Sequence, residues 1–155
     1  MSSRINHVSV HVTDLAESVD FYVDLLGARP IATPNFGMPV QWLALGSTQL
    51  HIFVRDDARA SGFHHLGVTV DELEPVYRVA ERRDAFEREA MGNHLIELPG
   101  GVVQLYVRDP AGNLVEIDCE GADRLPDELR SQLRRLVDHF PQSDEQASGR
   151  LFMTN

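Results

Sequence analysis

Histidine recurs at matched places in this chain. His7 opens HVSVHV (7–12), where the odd positions read His-Ser-His and the even ones are all Val. His65 opens HLGVTV (65–70), with His-Gly-Thr set against Leu-Val-Val. QLHIFV (49–54) sets Gln49, His51 and Phe53 against Leu-Ile-Val, and LVEID (114–118) sets Leu114, Glu116 and Asp118 against Val and Ile. Side chains of a strand alternate between its two faces, so each stretch predicts a polar face backed by an aliphatic one. Neutral imidazoles joined by a carboxylate are the donors that a divalent first-row metal takes. His7, His65 and Glu116 are therefore the candidate ligands. His51 is either a fourth ligand or a pocket residue, with Gln49 beside it on the same face. His11, His64, His94 and His139 are read as surface or hydrogen-bonded histidines, His64 because its parity is wrong.

The elements that must position these residues come in two copies. HVSVHVTDL (7–15) aligns without gaps on HLGVTVDEL (65–73), matching His7 with His65, Val10 with Val68, Val12 with Val70 and Leu15 with Leu73. A helix follows each copy, opened by Asp14 with Glu17 and by Asp71 with Glu74, which resemble capping boxes. The first helix, over roughly 15–26, stops at Gly27, a residue suited to a left-handed C-terminal cap. Strands are then expected near 29–33, 40–45 and 48–54, and in the second half near 85–90, 101–108 and 114–119, divided by Pro and Gly. Both halves spell β-α-β-β-β. Such a unit leaves its sheet open, and two copies paired in a half-barrel around the ligand faces are the economical arrangement. His51 and Glu116 fall in equivalent last strands, so the four candidates form two symmetry-related pairs.

The expected fold is α+β: a first module over 1–57, a second over 58–121, together one domain, and an extension over 122–155. In that extension PDELRSQLRRLVDHF (126–140) places Leu129, Leu133, Leu136, Val137 and Phe140 on one helical face, followed by a connector over 141–149. A net charge of −10 argues against nucleic acid and anionic membranes as partners. The chain has no lysine, which excludes Schiff-base chemistry, and a single cysteine, Cys119, which excludes an intrachain disulfide. With no long apolar run and no signal peptide, a cytoplasmic protein is expected.

The stretches INHVSVHVTDLAESVDFYVDLLG, FHHLGVTVDEL and VQLYVRDPAGNLVEID, spanning roughly 5–120, resemble the vicinal oxygen chelate superfamily of glyoxalase I, extradiol dioxygenases, methylmalonyl-CoA epimerase and the fosfomycin and bleomycin resistance proteins. The resemblance implies paired β-α-β-β-β modules whose metal is held by the residues matching His7, His65 and Glu116, with a further ligand position falling on His51. It also implies a small substrate bound through vicinal oxygens. LYVRDPAGNLVE (105–116) resembles the latter part of the extradiol dioxygenase signature, with Tyr106 in the place of its tyrosine. Tyr106 and Glu116 are thus the catalytic candidates, and Gln49, Gln104, Glu97 and Arg108 the expected pocket residues. By a small margin this favours a dioxygenase-like enzyme with Fe(II), Mn, Ni or Zn being the other metals. A glyoxalase-like lyase or epimerase is the alternative, with Glu97 as its base, and a metal-free drug-binding resistance protein is the non-enzyme alternative. A homodimer is expected, because open half-barrels of this kind commonly pair.

Overall fold

The computed structural model describes residues 4–151. Element order follows the expected α+β plan of two βαβββ modules: β1 (His7–Val12), α1 (Leu15–Leu26), β2 (Arg29–Ile31), β3 (Val40–Leu45) and β4 (Thr48–Val54), then β5 (His65–Thr69), α2 (Leu73–Arg82), β6 (Leu95–Glu97), β7 (Val102–Arg108) and β8 (Leu114–Glu120). The described backbone groups into two compact units, one reaching up to residue 66 and including 108–114, the other of 67–107 and the residues from 115 on.

In the first unit the sheet runs β1-β4-β3-β2. β1 pairs parallel with β4, setting His7 against Gln49 and Ser9 against His51; β3 pairs antiparallel with β4, setting Trp42 against His51. Paired residues share a face, so His7, Ser9, Gln49, His51, Phe53 and Trp42 lie together. The other face buries Val12, Leu43, Leu50 and Ile52. α1 covers it with Phe21, Tyr22 and Leu25. The helix starts where Asp14 accepts the Glu17 N–H at 2.9 Å and ends at Gly27, whose φ of 63° forms the left-handed cap. The DPAGN turn is tied to the same helix: the Tyr22 hydroxyl donates to the buried Asp109 carboxylate at 2.9 Å. Asp109 also accepts the N–H groups of Ala111 and Asn113. Burial and the neighbouring Asp109 drive the Tyr22 pKa well above the usual phenol range.

The second unit carries the sheet β5-β8-β7-β6-β9, where β9 is Arg134–Arg135. β8 is buried along Leu114–Cys119, and α2 buries Leu73, Val76, Tyr77 and Ala80. Its N-cap is Glu72, without a side-chain bond, so the Asp71 and Glu74 pair does not close the expected capping box.

Two expected elements take a different form. The strand near 85–90 shrinks to a single bridge between Phe86 and Val107, and the strand that completes the module is Leu95–Glu97. Phe86 packs against Tyr77 at 4.8 Å and His94 at 4.6 Å, so its ring joins a cluster between helix and sheet rather than a ladder. The C-terminal extension is helical as expected but broken into α3 (Asp127–Arg130), the short strand β9 and α4 (Leu136–His139), with α5 (Asp144–Ala147) beyond. Leu129 is fully buried, whereas Val137 and Phe140 remain exposed. Pairing of Arg134 with Ile96 and Arg135 with Glu97 extends the backbone where a continuous helix would pass.

Candidate active site

Across the first sheet the polar face is a row of rings. The His7 and His51 rings stack at 4.3 Å between centroids and 14° between planes, and His51 stacks in turn on Trp42 at 4.2 Å and 5°. The register explains the row, because His51 sits directly between Ser9 on β1 and Trp42 on β3. Phe36, from the loop before β3, reaches Trp42 and Phe53, each at 5.8 Å. Together with Asn6, Ser9 and Gln49 these residues line a cleft of about 470 Å³.

Each histidine of the predicted set has one ring nitrogen committed to an oxygen. His7 Nδ1 donates to Asn6 Oδ1 at 2.6 Å, His51 Nε2 to Gln49 Oε1 at 2.9 Å, and His65 Nδ1 to the Phe63 carbonyl at 3.0 Å. A ligating histidine characteristically gives its second N–H to such an oxygen, which fixes the tautomer and aims the lone pair. Burial, followed by the neighbouring His7, holds His51 below the ordinary histidine pKa and so keeps it neutral. The donor types of these residues therefore suit a divalent metal. Among the described residues no three His, Cys, Asp or Glu side chains are grouped as an ion would hold them.

In the second unit the functional groups form a buried chain. Gln104 Nε2 donates to Asp118 Oδ1 at 3.2 Å, and the Tyr106 hydroxyl lies 3.1 Å from Gln104 Oε1 and donates to Glu116 Oε2 at 2.5 Å. Tyr106 is fully buried, Glu116 6% exposed and Asp118 4%. Burial and the adjacent Glu116 carboxylate push the Tyr106 pKa far above its ordinary range, so the phenol keeps its proton. Gly67 of β5 leaves room here: a Cβ on it would stand 3.9 Å from Asp118 Oδ2 and 4.0 Å from Glu116 Oε1.

Two expected pocket residues serve elsewhere. β6 and β7 pair Ile96 with Gln104 and Glu97 with Val103, so Glu97 projects from the face opposite Gln104 and Tyr106. Its carboxylate instead takes an ion pair from Arg135 at 3.2 Å. Arg108 closes a loop, donating to the carbonyls of Ser61, Gly62 and Gly112. Trp42, Phe36 and Asp118 are site residues that sequence reasoning passed over. For Asp118 the signal was present, since it shares the parity of Glu116 in LVEID. Trp42 becomes a site residue only through its register with His51.

The family model of the Glyoxalase/Bleomycin resistance protein/Dioxygenase superfamily matches residues 4–117. The chain belongs to that superfamily. Among its relatives, human mitochondrial methylmalonyl-CoA epimerase is 30% identical over 132 residues, covering 74% of this chain and 73% of the relative. The crystal structure of lactoylglutathione lyase from Agrobacterium tumefaciens superposes with a TM-score of 0.59 at 25% identity, covering 76% of this chain and 94% of the other. The fosfomycin resistance protein FosX from Listeria monocytogenes shares the fold at a TM-score of 0.58 and 19% identity, covering 84% of this chain and 99% of the other. In this superfamily member the ring row runs across β1, β4 and β3, and the carboxylate chain across β7 and β8.

Proposed function

We propose that the protein is a divalent-metal-dependent enzyme that moves a proton at the carbon beside a carbonyl of a small substrate held through neighbouring oxygens. The observation that carries this reading is the buried chain from Asp118 through Gln104 and Tyr106 to Glu116. A carboxylate fixed by a phenol's hydrogen bond in a water-poor site is a base held in place for proton transfer, the phenol being its positioning donor. His7, His65 and Glu116 would hold the metal, and His51, whose ring stacks on that of His7, is the open fourth position; when bound, the metal supplies Lewis-acid polarisation of the substrate carbonyl. Tyr106 fixes Glu116 by donating to Oε2, and Gln104, held by Asp118, keeps the phenol in place. The names of the epimerase and lyase relatives support the same direction.

The dioxygenase reading suggested by LYVRDPAGNLVE is the second reading, and oxygen uptake tests it. Its signature calls for a histidine shortly before Tyr106, where this chain has Glu97, Leu98 and Pro99. His94 is 2% exposed and packs against Phe86 and Tyr77. A homodimer belongs to the proposal, and sedimentation equilibrium of the full chain tests it.

The deciding experiment loads the protein with Mn(II), Ni(II), Zn(II) or Fe(II) and follows deuterium uptake from heavy water by NMR. Substrates are a methylmalonyl thioester and the hemithioacetal of methylglyoxal with a thiol. Metal-dependent exchange is expected, and Glu116→Gln should abolish it. Oxygen uptake with Fe(II) and catechol, without any exchange, would replace this reading with the dioxygenase one. His65→Ala and Glu116→Ala should each lose bound metal by elemental analysis while keeping a native circular dichroism spectrum; unchanged metal content would sink the ligand assignment.

A further inference from the structure

We infer that the cleft beside His7 and His51 seats a flat, unsaturated ring of the substrate. This rests on the reading above, in which those histidines hold the reacting end of the same molecule. Every apolar wall of the cleft is a ring: Phe36, Trp42 and Phe53, adjoining the stacked imidazoles of His51 and His7. Phe36 meets Trp42 at 46° and Phe53 at 72°, so the three rings present both faces and edges toward one space. Such surfaces attract another π system in offset or edge-on contact beyond what apolar area alone provides. Among the described residues no aliphatic side chain, which would favour a branched or saturated group, is in the lining.

Charge points the same way. The chain carries a net charge of −10, yet among the described residues no Asp, Glu or Arg lines this cleft. The seated group is therefore uncharged. The indole of Trp42, its Nε1–H shielded from solvent and without an acceptor among the described residues, is one of the cleft's walls. Phe36 lines the cleft and is 49% exposed, an exposure that a seated ring would cover.

Trp42 is the chain's single tryptophan, so its indole N–H gives one resonance that reports on this cleft. The experiment titrates 15N-labelled, metal-free full-length protein with 2-naphthol, whose single oxygen cannot chelate, and with the saturated analogue decahydro-2-naphthol. A saturable shift of the Trp42 resonance by 2-naphthol is expected, with affinity about five- to ten-fold higher than for the saturated analogue. Phe36→Leu keeps the apolar volume but removes the ring, and should erase that preference. Phe63→Ala, an exposed ring outside this cleft, should leave it intact. Equal affinity for the two probes, or an unchanged preference in Phe36→Leu, would overturn the inference. Because the protein is metal-free here, failure of this test is separate from failure of metal retention or proton exchange.

Discussion

Replacing Tyr106 with Phe isolates the hydrogen bond on which the proposed chemistry depends. The substitution removes one oxygen and leaves the ring, so it opens almost no cavity in a side chain that is fully buried. What is lost is the 2.5 Å donation to Glu116 Oε2 and the weaker 3.1 Å contact with Gln104 Oε1. A hydrogen bond to a charged acceptor contributes about 1.5–3 kcal/mol net. Glu116 is only 6% exposed, so water replaces the lost donor poorly, and the loss should fall at about 2–3 kcal/mol. In a chain of this size that lowers the melting temperature by roughly 4–12 °C. Urea denaturation followed by far-ultraviolet circular dichroism measures it. A double-mutant cycle with Glu116→Gln should return a coupling of about 2 kcal/mol, because the two groups touch directly. A Tyr106→Phe protein within about 0.5 kcal/mol of the parent, well short of a charge-assisted bond, would show that Glu116 does not depend on the phenol, and the positioned base would lose its support.

Other outcomes follow from the same geometry. His94 is held below the ordinary histidine pKa chiefly by burial and next by Arg88, and His51 is lowered by burial and His7. The unfolded chain then binds more protons than the folded one, so this stability is complete above about pH 6.5 and falls as pH drops through the lowered values. Urea midpoints at pH 7.5 and 5.5 should show that decline, and His94→Phe should flatten part of it. Gly112 has a φ of 84° and its added Cβ would meet Ala60 Cβ at 3.2 Å, so Gly112→Ala should cost about 1–2 kcal/mol in the same unfolding assay. Gly67→Val should fill the space beside Glu116 and Asp118, abolishing the proton exchange while thermal unfolding shifts little.

The candidate site residues stand out in the sequence through local regularities. Alternation in HVSVHV, QLHIFV and LVEID puts His7, His51 and Glu116 opposite aliphatic faces because strand geometry has a period of two, and that needs no partner strand. The repeat of HVSVHVTDL in HLGVTVDEL gave the two βαβββ modules, since each copy folds by the same local rules. Asp14 and Gly27 bound α1 by capping, another short-range effect.

What the neighbouring strand decides was not legible. The face of Glu97 depends on β6 meeting β7 with Ile96 against Gln104, and a shift of one residue would have turned it inward. Arg108 could be a pocket cation or a loop clamp by sequence alone; the nearby carbonyls of Ser61 and Gly62 made it a clamp. The helix expected over 126–140 breaks because residues 134–135 find an open strand edge at β6, a long-range pairing that helical periodicity cannot register. The sequence by itself thus determined which residue types face together along each strand. Only the tertiary structure decided which strands adjoin, and so put Trp42 against His51 and Tyr106 against Glu116, because those contacts depend on cross-strand register and not on the spacing within one segment.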